Sequence, residues 1–318
     1  MTIPIIFAID NNVVMPCGVT ITSLLKNAKA ETFYDIYVLC NQSKLDVDGR
    51  KKLNDAFANS SQCRITFVDV SLDEDFKETD WQTTGHLTTA AFYRLAIPLL
   101  FPQFVKVIYA DVDMIFQQDL SELFVNSLQQ QELLAAVLDL AIDDKYYFQS
   151  KLPSMIGKSV KDYFNSGFLV MNLKQMREEN IVEQFNEHAK IRYDQNDQDV
   201  LNVVCSGRVQ ILPVLYNFQM NHFASYMWGR TSTDILFGEL FKYATLHYTG
   251  KFKPWNSLEC VASDTWWHYY KMSPFYDDVF YFKRQYDLIE SHKNDYRVKS
   301  NNQLLTRVMV NIKHKLFG

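Results

Sequence analysis

The feature that most constrains the fold of this chain is a regular alternation of strands and helices over its first 70 residues. Short apolar runs at residues 5–9, 34–40 and 64–69 have the length and composition of strands that are buried on both faces. Residues 18–25 and 47–58 lie between these runs and have the amphipathic spacing of helices. A strand–helix alternation of this kind predicts a parallel sheet with helices on both of its faces.

The rest of the chain continues this α/β pattern. Further strands are predicted at residues 105–110, 133–138, 168–171, 210–215 and 244–247. Helices are predicted at residues 88–95, ending near Pro98, at residues 173–191, and from Asp197 to residue 204. Aromatic residues crowd the chain after Trp255, and basic residues dominate after His292. These changes predict a boundary near residue 260, between a core domain at residues 1–260 and a helical C-terminal extension at residues 261–318.

Composition excludes several classes of protein. The 318 residues are 47% hydrophobic and 22% charged, which is typical of a globular protein with a sizeable core. The net charge of −5 argues against a general nucleic-acid-binding protein. The five cysteines show no Cys-x-x-Cys pair, so we expect reduced thiols in a cytosolic protein. The first residues lack a basic region and no apolar run approaches ~20 residues, so we expect neither a signal peptide nor a spanning helix.

Two carboxylates follow a predicted strand in the middle of the chain. The run from Val107 to Ala110 is apolar, and Asp111 and Asp113 come directly after it. Residues at i and i+2 of an extended chain point to the same face, so the two carboxylates can converge on one ion. Mg²⁺ and Mn²⁺ prefer oxygen ligands and keep positions open for substrate phosphates. The alternative is a pair of acids in a solvated turn.

A second motif spans residues 247–255, after the last predicted strand. His247 offers an imidazole, Gly250 lets the backbone approach a ligand closely, and Lys253 carries a positive charge suited to phosphate. Together with the two aspartates, this segment has the groups to hold a divalent metal on a diphosphate, which points to chemistry on a nucleotide-activated donor. The alternatives are a core histidine and a surface turn anchored by Trp255.

A polar cluster opens the helix predicted at residue 197. Asp197, Gln198 and Asp199 either complement the dipole at the N-terminus of that helix or lie against a sugar ring. Asn165, in the Asn-Ser-Gly sequence before a predicted strand, belongs to a plain turn or is aimed at sugar hydroxyls.

Two further sites have similar alternatives. Arg94 ends a predicted helix, where it either complements the C-terminal dipole or contacts phosphate or sugar. Asp10 and Asn12 follow the first strand, and open α/β sheets bind ligands in the crevice at the carboxyl ends of their strands. A nucleotide base and ribose could be read there.

Six motifs in this order resemble the family 8 glycosyltransferases: F-A-I-D-N-N, F-Y-R-L, Y-A-D-V-D, F-N-S-G, D-Q-D-V-L and H-Y-T-G-x-x-K-P-W. The resemblance covers residues 4–285 and is most similar to the bacterial lipopolysaccharide core enzymes that add glucose or galactose. It implies a retaining enzyme with a GT-A fold, which is a Rossmann-like mixed sheet with helices on both faces. It also implies transfer of a hexose from a UDP-sugar to a lipid-linked oligosaccharide in an α-linkage.

The resemblance also implies roles for individual residues. Asp111, Asp113 and His247 would bind Mn²⁺ or Mg²⁺ on the diphosphate of the donor. Contacts with the UDP part are implied at Ala8, Asp10, Asn12, Asp111, Val112, Asp113, Gly250 and Lys253. The donor sugar would be surrounded by Arg94, Asn165, Asp197 and Gln198. Many relatives carry an aromatic residue that stacks on uracil one position after Asn12, whereas this chain has Val13.

A transferase can retain the anomeric configuration of the sugar by either of two routes. In one, the acceptor hydroxyl attacks from the front face; in the other, a covalent intermediate forms. The amide of Gln198 is a poor nucleophile, which favours the front-face route and leaves Asp199 as the nucleophile of a covalent route. Two other classes remain: a nucleotidyltransferase or sugar-nucleotide hydrolase, and a non-catalytic sugar-binding module. The acceptor could also be another glycan or a glycoprotein.

The last residues of the chain predict a surface helix. Apolar residues recur on one helical face, while Arg307, Lys313 and Lys315 lie mostly off it. The apolar residues are Leu304, Leu305, Val308, Met309, Ile312, Leu316 and Phe317. A helix of this kind at residues 300–318 would bind anionic lipid and place the protein on the inner face of the bacterial inner membrane. The alternative is a terminal helix docked on the core.

Overall fold

A computed structural model describes residues 1–70, 92–128, 131–140, 147–220, 241–257 and 260–297 of the chain. The described residues form a seven-stranded sheet in the order β3-β2-β1-β4-β7-β6-β8. Its strands are β1 (Thr2–Ala8), β2 (Phe33–Cys40), β3 (Cys63–Asp69), β4 (Lys106–Ala110), β6 (Leu134–Leu138), β7 (Phe164–Asn172) and β8 (Val209–Ile211). A second, three-stranded sheet contains β5 (Met114–Ile115), β9 (Phe218–Gln219) and β10 (Leu246–His247).

The large sheet is mixed, as the family resemblance implies, and its first three strands are parallel, as their alternation with helices predicts. Strands β1, β2, β3 and β4 run parallel to one another, with Ile5 beside both Ile36 and Ile108. Strand β7 runs antiparallel to both β4 and β6. The chain places β2 and β3 on one side of β1 and β4 on the other side. The order in which strands are added to the sheet therefore reverses at β1. The crevice beyond such a point is where open α/β sheets bind ligands.

Helices cover both faces of the sheet. They are α1 (Val14–Lys26), α2 (Val47–Phe57), α3 (Tyr93–Leu100), α4 (Ser121–Asn126), α5 (Leu152–Ile156), α6 (Leu173–Glu178), α7 (Ile181–Ala189), α8 (Asp197–Val204), α9 (Ser263–Met272) and α10 (Asp278–Arg297). Successive side chains of a strand point to opposite faces. Ile5 accordingly packs with residues of α1 and α2, whereas Ile6 packs with residues of α3, α6, α7 and α8.

A third apolar cluster joins α1 to residues beyond position 260. Val19 of α1, Leu246 of β10 and Trp266 of α9 belong to it, and all three are fully buried. Burying an aromatic or aliphatic side chain stabilises a fold by ~1.5–3 kcal/mol, so α9 is strongly held on the core. The boundary near residue 260 stays a prediction, and the predicted surface helix at 300–318 lies outside the described residues.

Several predicted elements differ from the structure. The helix predicted at 173–191 is two helices, because Asn180 adopts a left-handed conformation with φ 52° and interrupts it. The strand predicted at 168–171 begins earlier, at Phe164, so the Asn-Ser-Gly sequence belongs to β7 and not to a turn. The strand predicted at 210–215 is shorter in the structure. Strand β8 ends at Ile211, and a 3₁₀ turn follows at Val214–Tyr216.

The remaining expectations concern α3, the cysteines and the membrane. Helix α3 continues past Pro98 to Leu100, and residues 88–91 of its predicted span lie outside the described part. All five cysteines fall within the described part, where each is buried and free. Among the described helices, none is both long and apolar enough to cross a bilayer.

Candidate active site

The segment that follows β4 carries both aspartates and is held from two sides. The N–H of Asp111 donates to the carbonyl of Gly167 on β7, with an N–O distance of 2.8 Å. On the other side, the hydroxyl of Thr20 in α1 lies 2.7 Å from the carbonyl of Val112 and 2.8 Å from that of Met114. The conformation of the segment is therefore fixed by its neighbours as well as by its own sequence.

Asp111, Asp113 and His247 converge at the carboxyl end of β4. Their ligand atoms all lie within 4.8 Å of one another. The Nε2 atom of His247 is 3.2 Å from Oδ1 of Asp113 and 3.8 Å from Oδ2 of Asp111. Among the described residues, Oδ1 of Asp113 is a buried atom without a hydrogen-bond partner. Two carboxylates, one of which has an unsatisfied buried oxygen, and an imidazole fit a divalent cation such as Mn²⁺.

Gly167 leaves room for this convergence. A Cβ atom at that position would lie 2.2 Å from Cε1 of His247 and 2.9 Å from Oδ2 of Asp111. Any side chain at this point of β7 would therefore push the histidine and the aspartate out of place. The glycine of the F-N-S-G motif is needed for close approach, and not for a turn.

Lys253 brings a positive charge to the same group. Its Nζ contacts the Asp113 carboxylate and lies 2.6 Å from the carbonyl of Tyr248. The loop that carries it turns at Gly250, where φ is 75°. Burial raises the pKa of the Asp113 carboxyl, but Lys253 and His247 outweigh burial and hold that pKa well below its ordinary value.

Arg94 links the two acidic clusters. It is the second residue of α3 and not the end of a helix, so the interpretation based on a C-terminal dipole is wrong. Its Nη2 lies 2.9 Å from Oδ1 of Asp111, and its Nε lies 3.2 Å from Oδ2 of Asp197. Burial lowers the pKa of the guanidinium, but the two carboxylates outweigh this and raise it above its ordinary value. Arg94 is thus a buried, permanently charged bridge.

The amide of Gln198 lies at the centre of a second polar group. Its Oε1 accepts hydrogen bonds from the N–H of Ser166 at 3.0 Å and from Nδ2 of Asn165 at 3.2 Å. Its Nε2 donates to Oδ2 of Asp139 at 2.8 Å. Asp197 is next to it and is buried, and burial raises the pKa of its carboxyl to about 6 although Arg94 acts in the opposite direction.

Asp199 is held by Tyr163 and by the backbone of Gln195. It is fully buried, its Oδ1 accepts from the hydroxyl of Tyr163 at 2.7 Å, and its Oδ2 accepts from the N–H of Gln195 at 2.8 Å. A carboxylate held by two donors is stabilised where it is and is a weak nucleophile.

The residues predicted to meet the nucleotide lie at the end of β1. Oδ1 of Asp10 accepts from the N–H of Asn12 at 2.9 Å and so caps the short 3₁₀ turn before α1. Ala8 ends β1, which runs parallel to β4, so Ala8 and Asp111 lie at the same edge of the sheet. Val13 packs against the apolar cluster beneath α1 and α2.

The sequence model described as "Glycosyl transferase family 8" matches residues 4–259 of this chain. The chain belongs to glycosyltransferase family 8. A predicted glycosyltransferase from Haemophilus influenzae is 31% identical over 222 residues, which cover 68% of this chain and 63% of that relative. The lipopolysaccharide 1,2-glucosyltransferase of Escherichia coli is 28% identical over 306 residues, or 90% of this chain and 85% of the relative.

Solved structures agree with the predicted fold class. The crystal structure of the galactosyltransferase LgtC in complex with donor and acceptor sugar analogues matches with a TM-score of 0.68 at 23% identity. The match covers 88% of this chain and 100% of that chain. The mixed sheet with helices on both faces is therefore the GT-A fold, with a helical C-terminal region, as the sequence predicts.

Sequence reasoning missed some members of the site. Asp139 comes directly after β6, so the signal that identified Asp111 could have found it. Tyr163 donates to Asp199 and receives a hydrogen bond from Gln198 at 3.3 Å, but it lies in no recognisable motif. Asn217, whose Oδ1 lies 2.9 Å from Nδ1 of His247, has no sequence signal either.

Proposed function

We propose that this family 8 member is a metal-dependent, retaining hexosyltransferase. It moves glucose or galactose from a UDP-sugar to an outer sugar of a lipid-linked oligosaccharide and forms an α-linkage. The observation that carries this proposal is the convergence of Asp111, Asp113 and His247 beside the positive charge of Lys253. The names of the E. coli glucosyltransferase and of the galactosyltransferase LgtC support a hexose donor.

The diphosphate end of the donor would lie over the metal ligands. Asp111, Asp113 and His247 would hold Mn²⁺ or Mg²⁺, which offsets the negative charge that grows on the departing UDP. Lys253 adds a positive charge at the same place. The uridine would lie along Ala8, Asp10 and Asn12, at the sheet edge that also carries Val112.

The hexose would lie between the metal ligands and α8. Gln198, Asn165 and Asp197 offer amide and carboxylate groups to its hydroxyls, and Arg94 holds Asp197 and Asp111 at a fixed separation. The pair of hydrogen bonds on Oε1 of Gln198 fixes its amide before a substrate binds, and such preorganisation lowers the cost of reaching the transition state.

Retention on this scaffold favours the front-face route. The acceptor hydroxyl attacks C1 of the hexose from the side on which UDP departs, and its proton passes to a departing phosphate oxygen. A covalent route would require Gln198, whose amide is a poor nucleophile, or Asp199, whose two carboxylate oxygens already accept hydrogen bonds.

The acceptor class suggests where the enzyme works. A lipid-linked oligosaccharide is anchored in the membrane, so we propose that the basic, amphipathic residues 300–318 bind the inner leaflet from the cytoplasm. Deletion of these residues should abolish binding to vesicles that contain anionic lipid and leave UDP-sugar hydrolysis intact. Equal vesicle binding by the shortened chain would remove the membrane proposal.

A donor screen tests the proposed reaction. Purified protein is incubated with UDP-glucose, UDP-galactose and UDP-N-acetylglucosamine, each with Mn²⁺ or with EDTA, and released UDP is measured. We expect UDP release from one or both of the two hexose donors and only with the metal. The anomeric configuration of the first sugar product, followed by NMR, should be α. Failure to release UDP from any of the three donors, or full activity in EDTA, would contradict the proposal.

A further inference from the structure

A buried chain of side-chain amides begins at the metal-ligand histidine. Nδ1 of His247 lies 2.9 Å from Oδ1 of Asn217, and Nδ2 of Asn217 donates to Oδ1 of Asn165 at 2.9 Å. Nδ2 of Asn165 then donates to Oδ2 of Asp139 at 3.3 Å. All four side chains are buried, and Asn217 is completely so. The chain therefore runs from the metal ligands to the polar group around Gln198 without passing through solvent.

The direction of each hydrogen bond in this chain is fixed. The backbone N–H of Gly167 donates to Oδ1 of Asn165 at 3.0 Å, which identifies that atom as the carbonyl oxygen. The Nδ2 of the same amide faces the carboxylate of Asp139, which only accepts when ionised. Asn217 must then turn its NH₂ group towards Asn165, so its oxygen faces His247.

This direction places a hydrogen on one particular nitrogen of His247. Because Oδ1 of Asn217 can only accept, Nδ1 of the imidazole must carry a hydrogen. In a neutral imidazole the other nitrogen, Nε2, then has a free lone pair. Nε2 lies 3.2 Å from Oδ1 of Asp113, so a cation that takes this lone pair would also be within reach of the carboxylate.

We propose that Asn217 is a positioning residue, which holds His247 in the Nδ1-protonated form and so prepares Nε2 to bind the metal. The proposal rests on the metal-binding part of the proposed function and goes further, since it assigns a role to a residue that would touch neither metal nor donor. Removing an outer hydrogen-bond partner of a metal-binding histidine typically costs ~10–100-fold in metal affinity.

The chain offers a matched control for the loss of a buried amide. Gln219 lies two residues further on and is also completely buried. Its Nε2 donates to the carbonyl of Leu138 at 2.9 Å, and its Oε1 accepts from the N–H of Leu140 at 2.9 Å. Gln219→Ala thus removes a buried amide with two hydrogen bonds, as Asn217→Ala does, and it does so directly beside His247 in the sheet without removing a hydrogen bond of the imidazole.

The experiment measures Mn²⁺ affinity and not turnover. MnCl₂ is titrated calorimetrically into wild type, Asn217→Ala, Asn217→Asp and Gln219→Ala, with UDP held in excess, after thermal unfolding has shown that each variant is folded. Asn217→Ala should weaken Mn²⁺ binding by roughly 10- to 100-fold. Asn217→Asp keeps an oxygen that accepts from Nδ1–H and should bind nearly as well as wild type, as should Gln219→Ala. If Asn217→Ala does not fold, Asn217→Leu takes its place, because it fills the space but has no acceptor.

The outcomes separate this inference from the proposed function. If wild type binds no Mn²⁺, both are wrong. If wild type binds Mn²⁺ and the Ala or Leu variant binds it equally well, the role of Asn217 is wrong and the metal site stands. An equal loss in Gln219→Ala, or a loss in Asn217→Asp as large as in Asn217→Ala, would also overturn the role, because it would show a general effect of disturbing the core.

Discussion

The candidate active site contains two acidic pairs, Asp111 with Asp113 and Asp197 with Asp199, in which one residue separates the acids, and the two pairs behave differently. Asp111 and Asp113 follow a strand, and their carboxylates converge on His247. Asp197 and Asp199 begin a helix, where positions i and i+2 lie about 200° apart around the axis. Asp197 therefore faces Arg94, and Asp199 faces Tyr163. The same spacing therefore gives a shared site after the strand and two separate sites on the helix.

The surroundings separate the pairs electrostatically as well. Both Asp113 and Asp197 are buried, and burial alone raises the pKa of a carboxyl. Lys253 and His247 reverse this for Asp113, whose pKa falls. For Asp197 burial prevails over the attraction of Arg94, and its pKa rises to about 6. Asp113 is thus kept ionised, which suits a cation, whereas the carboxyl of Asp197 is protonated more readily.

The largest expected effect is on the converging pair. Asp113→Asn keeps the shape of the side chain but removes the charge of one metal ligand. We expect kcat/KM for hexose transfer to fall by about 1,000-fold, because metal stabilisation of the leaving group is worth several kcal/mol. Steady-state kinetics measure this. Asp55→Asn, which disturbs an exposed ion pair with Lys51, is the control and should change little. Equal kcat/KM values for Asp113→Asn and Asp55→Asn would show that Asp113 has no catalytic role, and the distinction between the two acidic pairs would fail.

A smaller effect on catalysis is expected at Gln198, the residue between the two acids of the second pair. Gln198→Ala removes an amide that holds Ser166 and Asp139 and that faces the proposed hexose site. We expect kcat to fall by roughly 10- to 100-fold, with a smaller change in the KM for the donor, since the lost contact acts on the transition state. A change confined to KM would place Gln198 in binding and not in catalysis.

Asp199 sharpens the comparison because its expected effect is on folding. Asp199→Asn weakens the hydrogen bonds from Tyr163 and Gln195, so the free energy of unfolding should fall by ~3 kcal/mol. The folded variant should turn over donor at nearly the wild-type rate. Urea unfolding and kinetics on the same preparation check both points. A fall in kcat of several orders of magnitude would instead identify Asp199 as the nucleophile of a covalent route.

The smallest expected effect is the pH dependence of stability through Asp197. Its pKa is ~3.9 when the chain is unfolded and about 6 when folded. Between these values the folded chain binds more protons, so the free energy of unfolding falls as pH rises from about 4 to about 6. Relative to Asp197→Asn, wild type should lose on the order of 2 kcal/mol across this range. Parallel profiles for the two proteins would show that Asp197 does not titrate there.

The sequence predicted those parts of the molecule in which pattern and backbone agree. Strand β4 is apolar and ends at Ala110, so the position of Asp111 and Asp113 at its carboxyl end could be anticipated. Helix α8 has the predicted bounds, because Asp197 marks its first turn. Where a single backbone angle decides, as for the left-handed Asn180 between α6 and α7, an amphipathic pattern gives no warning.

Buried polar residues were the main cause of error. Asn165 and Ser166 look like turn residues, yet they lie within β7, where their polar groups bond to Gln198 and Asp197. Arg94 appeared to end a helix because the residues before it are apolar, whereas in the structure it lies in the first turn of α3. Asn217 could not be found from sequence, because its importance depends on a neighbour 30 residues away.

The binding of UDP with and without Mn²⁺ tests the central claim most directly. UDP is titrated calorimetrically into wild type and into Asp113→Asn, each in excess Mn²⁺ and each in EDTA. If Asp111, Asp113 and His247 hold a metal on the diphosphate, Mn²⁺ should strengthen UDP binding by wild type at least about tenfold, equal to ~1.4 kcal/mol, and should have little effect on the variant. Equal UDP affinity of wild type in Mn²⁺ and in EDTA would contradict the account.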